Sequence, residues 1–190
     1  ALMDKYDKSN LPQFLTNLKK IRYRNGEITD YTARLHYSSD WLHEMEHSGI
    51  IENITKEKGG IPFTNKVSFI SQNWQKYPAL QKDSSLVKKM TRIEKEINAR
   101  EYYYIPKEKV LPFVGQIKTG DIILITTQKK GLDTSHVGIA VEENGQIYLL
   151  HASISSKKVT LTEETLPEYL QRITSHSGIM IGRLVNFKSN

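Results

Sequence analysis

"GDIILITTQKKGLDTSHVGIAVEENGQIYLLHAS", residues 120–153, is rich in Val, Ile and Thr and is broken by turn residues. These side chains suit a pleated, half-buried surface, so the stretch predicts strands. Glu-Glu-Asn-Gly-Gln at 142–146 is a hairpin signal, because Asn and Gly accept the left-handed backbone of a tight turn. His136 lies 8.5 positions before the middle of that turn and His151 lies 6.5 after it. A hairpin turning there makes the two histidines near neighbours once a small offset or bulge is allowed. Two imidazoles at the rim of a sheet can act as a base and its orienter, the second ring fixing the tautomer of the first. The same spacing also describes two ordinary strand-end histidines.

The strand-like texture continues through "KKVTLT" (157–162) and "GIMIGRLVNF" (178–187), with one helix, "LPEYLQRI" (166–173), between them. His176 follows that helix and reads as a surface residue. The first half of the chain differs. In "NLPQFLTNLKKIRYR" (10–24), Asn10 is a cap, Pro12 suits a first turn, and Phe14, Leu15, Leu18 and Ile21 form an apolar stripe. "SSDWLHEMEHSG" (38–49) reads as a helix capped by Ser38 or Ser39 and stopped by Gly49. Residues 49–73 read as strands separated by Gly59 and Gly60. In "SSLVKKMTRIEKEINAR" (84–100), Leu86, Met90, Ile93 and Ile97 are spaced 4, 3 and 4 and mark the core face of a helix. A helical half followed by a mostly antiparallel sheet is an α+β arrangement, and 190 residues suit a single domain.

Composition narrows the function classes. Apolar residues make up 38% and charged residues 25%, as in a globular chain. No apolar run approaches the ~18 residues of a membrane span, and residue 1 opens no signal-peptide pattern. The net charge of +6 is scattered in pairs and singles, which argues for a solvated basic surface rather than a nucleic-acid stripe. There is no cysteine, so neither disulfides nor thiolate metal sites form within these residues.

One motif points elsewhere. His43, Glu44 and His47 spell His-Glu-x-x-His, the helix of zinc peptidases, in which two imidazoles hold the metal and the Glu activates water. The surrounding residues do not continue that pattern. Ile50 and Asn53 stand where the extended motif has Gly and His. Glu94 and Glu96 are candidates for a third ligand that nothing singles out. We therefore expect no metal and no other cofactor.

The wording of the 120–153 stretch carries more than its spacing. "HVGI" (136–139) and "HAS" (151–153) resemble catalytic segments of the NlpC-type cell-wall cysteine peptidases, which have a papain-like fold. "IRYRNGEITDYTARLHYSSDW", "NITKEKGG", "YYYIPKE", "GDIILITTQKKGLDTSHVGIAV" and "LLHASISSKKV" are similar to the N-acetylmuramoyl-L-alanine amidase-like branch of that superfamily, over nearly the whole chain. The resemblance implies a peptidoglycan amide hydrolase working by acyl transfer. His136 would be the base and His151 its orienter, with a Cys as nucleophile. It also implies that residues 34–41 line the cleft, which makes Arg34, His36, Tyr37, Asp40 and Trp41 candidates for gripping an acidic, peptide-bearing sugar. Core packing is the competing role for Tyr37 and Trp41, and helix capping for Asp40. Asp133 either tunes the base or is a turn residue after Gly131.

The family's nucleophile begins a helix upstream of the segment matching "ALMDKY", and no Ser or Thr here occupies its position. Ala1, Leu2 and Met3 look like the end of an apolar helix, so the expectation is a single domain over 1–190 lacking its nucleophile-bearing segment. The alternative is an inactive copy that binds muropeptides. Peptidoglycan or its fragments are the expected partner, nucleic acid is not, and the substrate class places the protein in the periplasm or cell envelope.

Overall fold

The structure, a computed structural model, describes residues 10–185. The expectation for Ala1, Leu2 and Met3 lies outside the described residues. Along the chain run α1 (Leu11–Arg22), α2 (Ser38–His47), β1 (Ile51–Asn53), β2 (Ile61–Pro62), α3 (Phe69–Gln72), α4 (Pro78–Lys82), α5 (Ser85–Asn98), β3 (Tyr103–Pro106), α6 (Val110–Phe113), β4 (Ile122–Thr127), β5 (Thr134–Glu143), β6 (Gln146–Ser153), β7 (Lys158–Leu161), α7 (Leu166–Arg172) and β8 (His176–Leu184).

The strands form one sheet in the order β2-β3-β8-β4-β5-β6-β7, with β1 added alongside β8. Every strand pair among the described residues is antiparallel. The fold is therefore α+β, as composition and patterning predict. β4 lies between β5 and β8 and is covered on both faces. Ile123 and Ile125 pack with Ala140, Ile147, Leu149, Ile179 and Ile181 beneath α6 and α7. Leu124 points the other way, onto Leu42 and Met45 of α2. A third cluster, built on Met90 and Ile97 of α5 with Leu80 and Tyr37, is the core of the helical half. Leu86 and Ile93 pack against it while only partly buried, so the stripe predicted for α5 does face the core.

The β5–β6 hairpin forms where the sequence places it. Asn144 and Gly145 take φ values of 52° and 77°, and Glu143 pairs with Gln146 across the turn. α1 also forms as expected, but its stripe is only thinly covered. Phe14 and Leu15 are 44% and 47% exposed, and Ile21 at the helix end packs on the sheet-side core.

Two expectations are corrected and a third is extended. Residues 49–73 hold only two short strands, β1 and β2, followed by a helical turn in α3. The sheet takes both strands, so it is not confined to the second half of the chain. His176 is not on the surface. It opens β8 opposite Thr127 and is 3% exposed, because the strand starts before Gly178, where the apolar pattern begins. Asp133 does lie in the bend after Gly131, but it is buried there. It is 2% exposed, and its carboxylate accepts from the backbone N–H of Ser39 at 2.6 Å and of Thr134 at 2.7 Å.

Asp133 thus supplies, from 94 residues away, the cap that neither Ser38 nor Ser39 provides for α2. A carboxylate at a helix N-terminus satisfies an orphan N–H and complements the helix dipole. Thr134 reinforces the tie by donating to the Ser38 hydroxyl at 2.7 Å. Replacing Asp133 with Ala strands one buried and one part-buried N–H group, which predicts a loss of about 2 kcal/mol of stability in urea unfolding. Asp133→Asn, which keeps an accepting oxygen, should lose less.

Candidate active site

The loop before β5 is held tightly. Asn65 donates to the carbonyls of Leu132 and Thr127, and the backbone N–H groups of Ser68 and Phe69 both bond to the Gly131 carbonyl. β5 then pairs with β4, placing His136 opposite Ile125. On the other side Ile139 pairs with Leu150. Carried one step further, that register sets His151 opposite Gly138, with His136 two residues away on the same face. The face is that of Ala140 and Leu149, so the histidines cap one end of the larger sheet core. Gly138 has to be glycine, since a Cβ there would stand 2.5 Å from the Leu149 side chain.

His136 Nε2 and His151 Nδ1 are 2.7 Å apart, and the rings cross at 89° with centroids 4.9 Å apart. A bond of that length requires one nitrogen to donate and the other to accept. Burial lowers the pKa of His136 below its ordinary value, and the neighbouring His151 lowers it further. Burial alone does the same to His151. Both rings are therefore neutral at neutral pH. Among the described residues, Nδ1 of His136 has no protein partner.

The pair borders an open cleft of about 820 Å³. One wall is the β6–β7 hairpin, with the hydroxyls of Ser153, Ser155, Ser156, Thr160 and Thr162. The other is α7, with Tyr169 and Arg172. Arg172 is locked by Glu164, its Nε and Nη2 lying 2.9 Å and 2.6 Å from Glu164 Oε1. His176 lies under the same helix, its ring 5.6 Å from that of Tyr169. Its buried Nδ1 has no partner, and burial holds its pKa down at about 4, helped by His136, Lys107 and Arg172.

The other sequence candidates sit around the start of α2 and do not line this cleft. Arg34 is exposed. His36 packs on Tyr31 at 4.5 Å, and its Nε2 donates to the Tyr31 carbonyl at 2.8 Å. Tyr37 is buried, donating to Glu94 at 2.7 Å and accepting from the N–H of Ile70. Asp40 is buried between Arg24 and Arg100, at 2.6 Å and 2.7 Å. The Trp41 indole donates to the Ile21 carbonyl at 2.8 Å. Glu44, the would-be base of the zinc motif, is paired with Arg24 at 2.7 Å. The rings of His43 and His47 stack 6.4 Å apart, and no cluster of three metal-ligating side chains occurs among the described residues.

Tyr169 and His176 are the members of this aromatic cluster that sequence reasoning missed. The available signal was the helix "LPEYLQRI", whose Leu166, Tyr169 and Leu170 share one buried face at a spacing of three and four.

The lowered values of His136, His151 and His176 fix a pH dependence. An unfolded histidine takes up its proton near pH 6.5, whereas these rings stay neutral in the fold. Stability from them is complete above that pH and is lost as pH falls towards the folded values, about 4 for His176. Thermal melts should show the stability gap between wild type and His176→Gln narrowing as pH falls below 6.5.

A family profile described as AmiA-like, N-acetylmuramoyl-L-alanine amidase-like, matches residues 3–179. A crystal structure of an N-acetylmuramoyl-L-alanine amidase from Bacteroides uniformis is 36% identical, with a TM-score of 0.88 over 97% of this chain and 78% of that one. A Bacteroides fragilis protein provisionally called a xylanase is 37% identical, with a TM-score of 0.86 over 95% of this chain and 79% of its own. A Legionella pneumophila protein of the DUF1460 family, 23% identical, shares the fold with a TM-score of 0.69 over 93% of this chain and 70% of its own. No curated protein sequence is similar enough to count as a match. With the profile spanning residues 3–179, the chain belongs to the N-acetylmuramoyl-L-alanine amidase-like (AmiA-like) family.

Proposed function

We propose that this chain carries the base and the orienter of a peptidoglycan amide hydrolase with a Cys-His-His mechanism, in a papain-like arrangement of the NlpC type. The observation that carries the reading is the 2.7 Å contact between His136 Nε2 and His151 Nδ1 at the edge of a cleft, with Nδ1 of His136 free to act. Family membership supports the substrate class.

In this mechanism His136 Nδ1 takes the proton of a thiol, and the thiolate attacks the carbonyl carbon of a wall-peptide amide. His136, now an imidazolium, returns the proton to the nitrogen of the leaving amine, and water releases the acyl group by the same steps in reverse order. His151 accepts from Nε2–H of His136, which fixes the tautomer and steadies the imidazolium. The depressed pKa of His136 keeps it in the neutral form that can accept a proton at neutral pH. None of the 190 residues is cysteine, so this mechanism requires a thiol supplied from outside them. Arg34, His36, Tyr37, Asp40 and Trp41 lie outside the cleft beside the histidine pair; Arg34, which is exposed, and His36 remain our candidates for holding a carboxylate of a longer substrate, with Tyr37, Asp40 and Trp41 packed behind them. A wall substrate places the working enzyme outside the cytoplasmic membrane, and no helix among the described residues is long and apolar enough to cross one.

The absence of cysteine favours one other reading, a module that binds muropeptides without turnover. Protein made from the complete reading frame separates the two. A hydrolase takes up one iodoacetamide, read by intact mass, and releases muropeptide fragments of defined mass. His136→Ala should then lower kcat by roughly 10²–10⁴-fold with little change in KM. Absence of both alkylation and turnover would leave the binding module.

A further inference from the structure

We propose that Tyr169 is a positioning residue for the His136–His151 pair, its ring acting as the wedge that sets the perpendicular crossing of the two imidazoles. The inference rests on the reading of that pair as base and orienter.

Strand pairing alone does not orient the pair. It places two Cα atoms, and each imidazole still turns about its two side-chain torsions. The terminal torsion is broad and has no sharp staggered minimum of its own. A crossing at 89° with a 2.7 Å contact therefore needs an abutment on the rings themselves. Tyr169 provides one. Its ring centroid is 5.6 Å from that of His151, in an edge-to-face contact at 76°, and 6.5 Å from that of His136. These are distances at which aromatic pairs hold a preferred geometry.

The wedge is itself fixed. α7 opens with a capping box between Thr165 and Glu168 and has Pro167 in its first turn. Leu166 and Leu170, on either side of Tyr169, are fully buried. His176 lies 5.6 Å from the Tyr169 ring, and the guanidinium of Arg172 lies 5.3 Å from its centroid. The hydroxyl makes no hydrogen bond to protein among the described residues and reaches the open cleft, so within the fold it is the ring that makes the ordering contacts.

The test reads histidine tautomers by long-range nitrogen–proton NMR at neutral pH, on this chain, where no turnover is required. Wild type should show one tautomer for each ring of the pair. Tyr169→Phe keeps the ring and should keep that pattern. Tyr169→Leu should lose it, giving averaged tautomers for His151 and His136. Leu80→Ala empties a buried site in the separate core of the helical half; it should lower the melting temperature and leave the tautomers alone. An unchanged pattern in folded Tyr169→Leu, or an equal loss in Tyr169→Phe, would overturn the proposal. Should Tyr169→Leu not fold, the unaltered chain decides. Overhauser contacts from the Tyr169 ring protons to the carbon-bound protons of His136 and His151 are expected, and their absence would overturn it. In the complete enzyme, Tyr169→Leu should lower kcat by roughly 10²-fold at unchanged KM, as for a misplaced base. If wild type does not turn over at all, the hydrolase reading fails while the tautomer result still stands.

Discussion

Burial of β4 on both faces is the constraint from which the architecture follows. A strand with Ile123 and Ile125 on one side and Leu124 on the other cannot leave either face to water. One side recruits α6 and α7, and the other recruits α2 and the segment leading to it. The neighbours of β4 are then set: β8 on one edge and β5 on the other. Only where the strand runs out, past Thr126, does the core give way to polar side chains. His136, His151 and His176 gather at that boundary, part of the way into a low-dielectric interior. Their depressed pKa values are the electrostatic expression of that position.

The helical half is attached to this sheet end by few polar contacts, each well made. Asp133 caps α2, Thr134 reaches Ser38, and Asn65 clamps the loop between β4 and β5. Burial raises the pKa of the Asp133 carboxyl, partly offset by the N–H groups it accepts. Around Asp40 a second network ties Arg24, from the turn after α1, to Arg100, beyond α5. Together these ties bring the start of α2 to the start of the strand that carries His136. The residues around it are thus placed by the helical half while the histidines are placed by the sheet.

Much of this was legible in the sequence because it depends on local rules. The Asn144-Gly145 turn, the α5 stripe and the facing of His136 and His151 all follow from fixed periodicity and turn chemistry over short stretches. What escaped detection depends on distant partners. Asp133 looks like a turn residue until Ser39 is brought to it. His176 looks exposed because Gly178 hides where β8 begins. Phe69 and Ile70 read as strand residues, but the Gly131 carbonyl and the Tyr37 hydroxyl take their N–H groups and the segment coils into a helical turn. Tyr169 looks like a helix-face aromatic until the fold sets three imidazoles around it.

The shared face of His136 and His151 also restricts how the chain can change length. In a strand, adding or removing one residue turns every later side chain to the opposite face. A single insertion between residues 137 and 142, or between 147 and 150, would send one imidazole to the solvent side and an apolar neighbour into its place. The loop at Asn144 and Gly145 carries no such restriction, because extra residues there leave both strands in register. Among homologues, natural variation in the interval between the two histidines should therefore be concentrated at that turn.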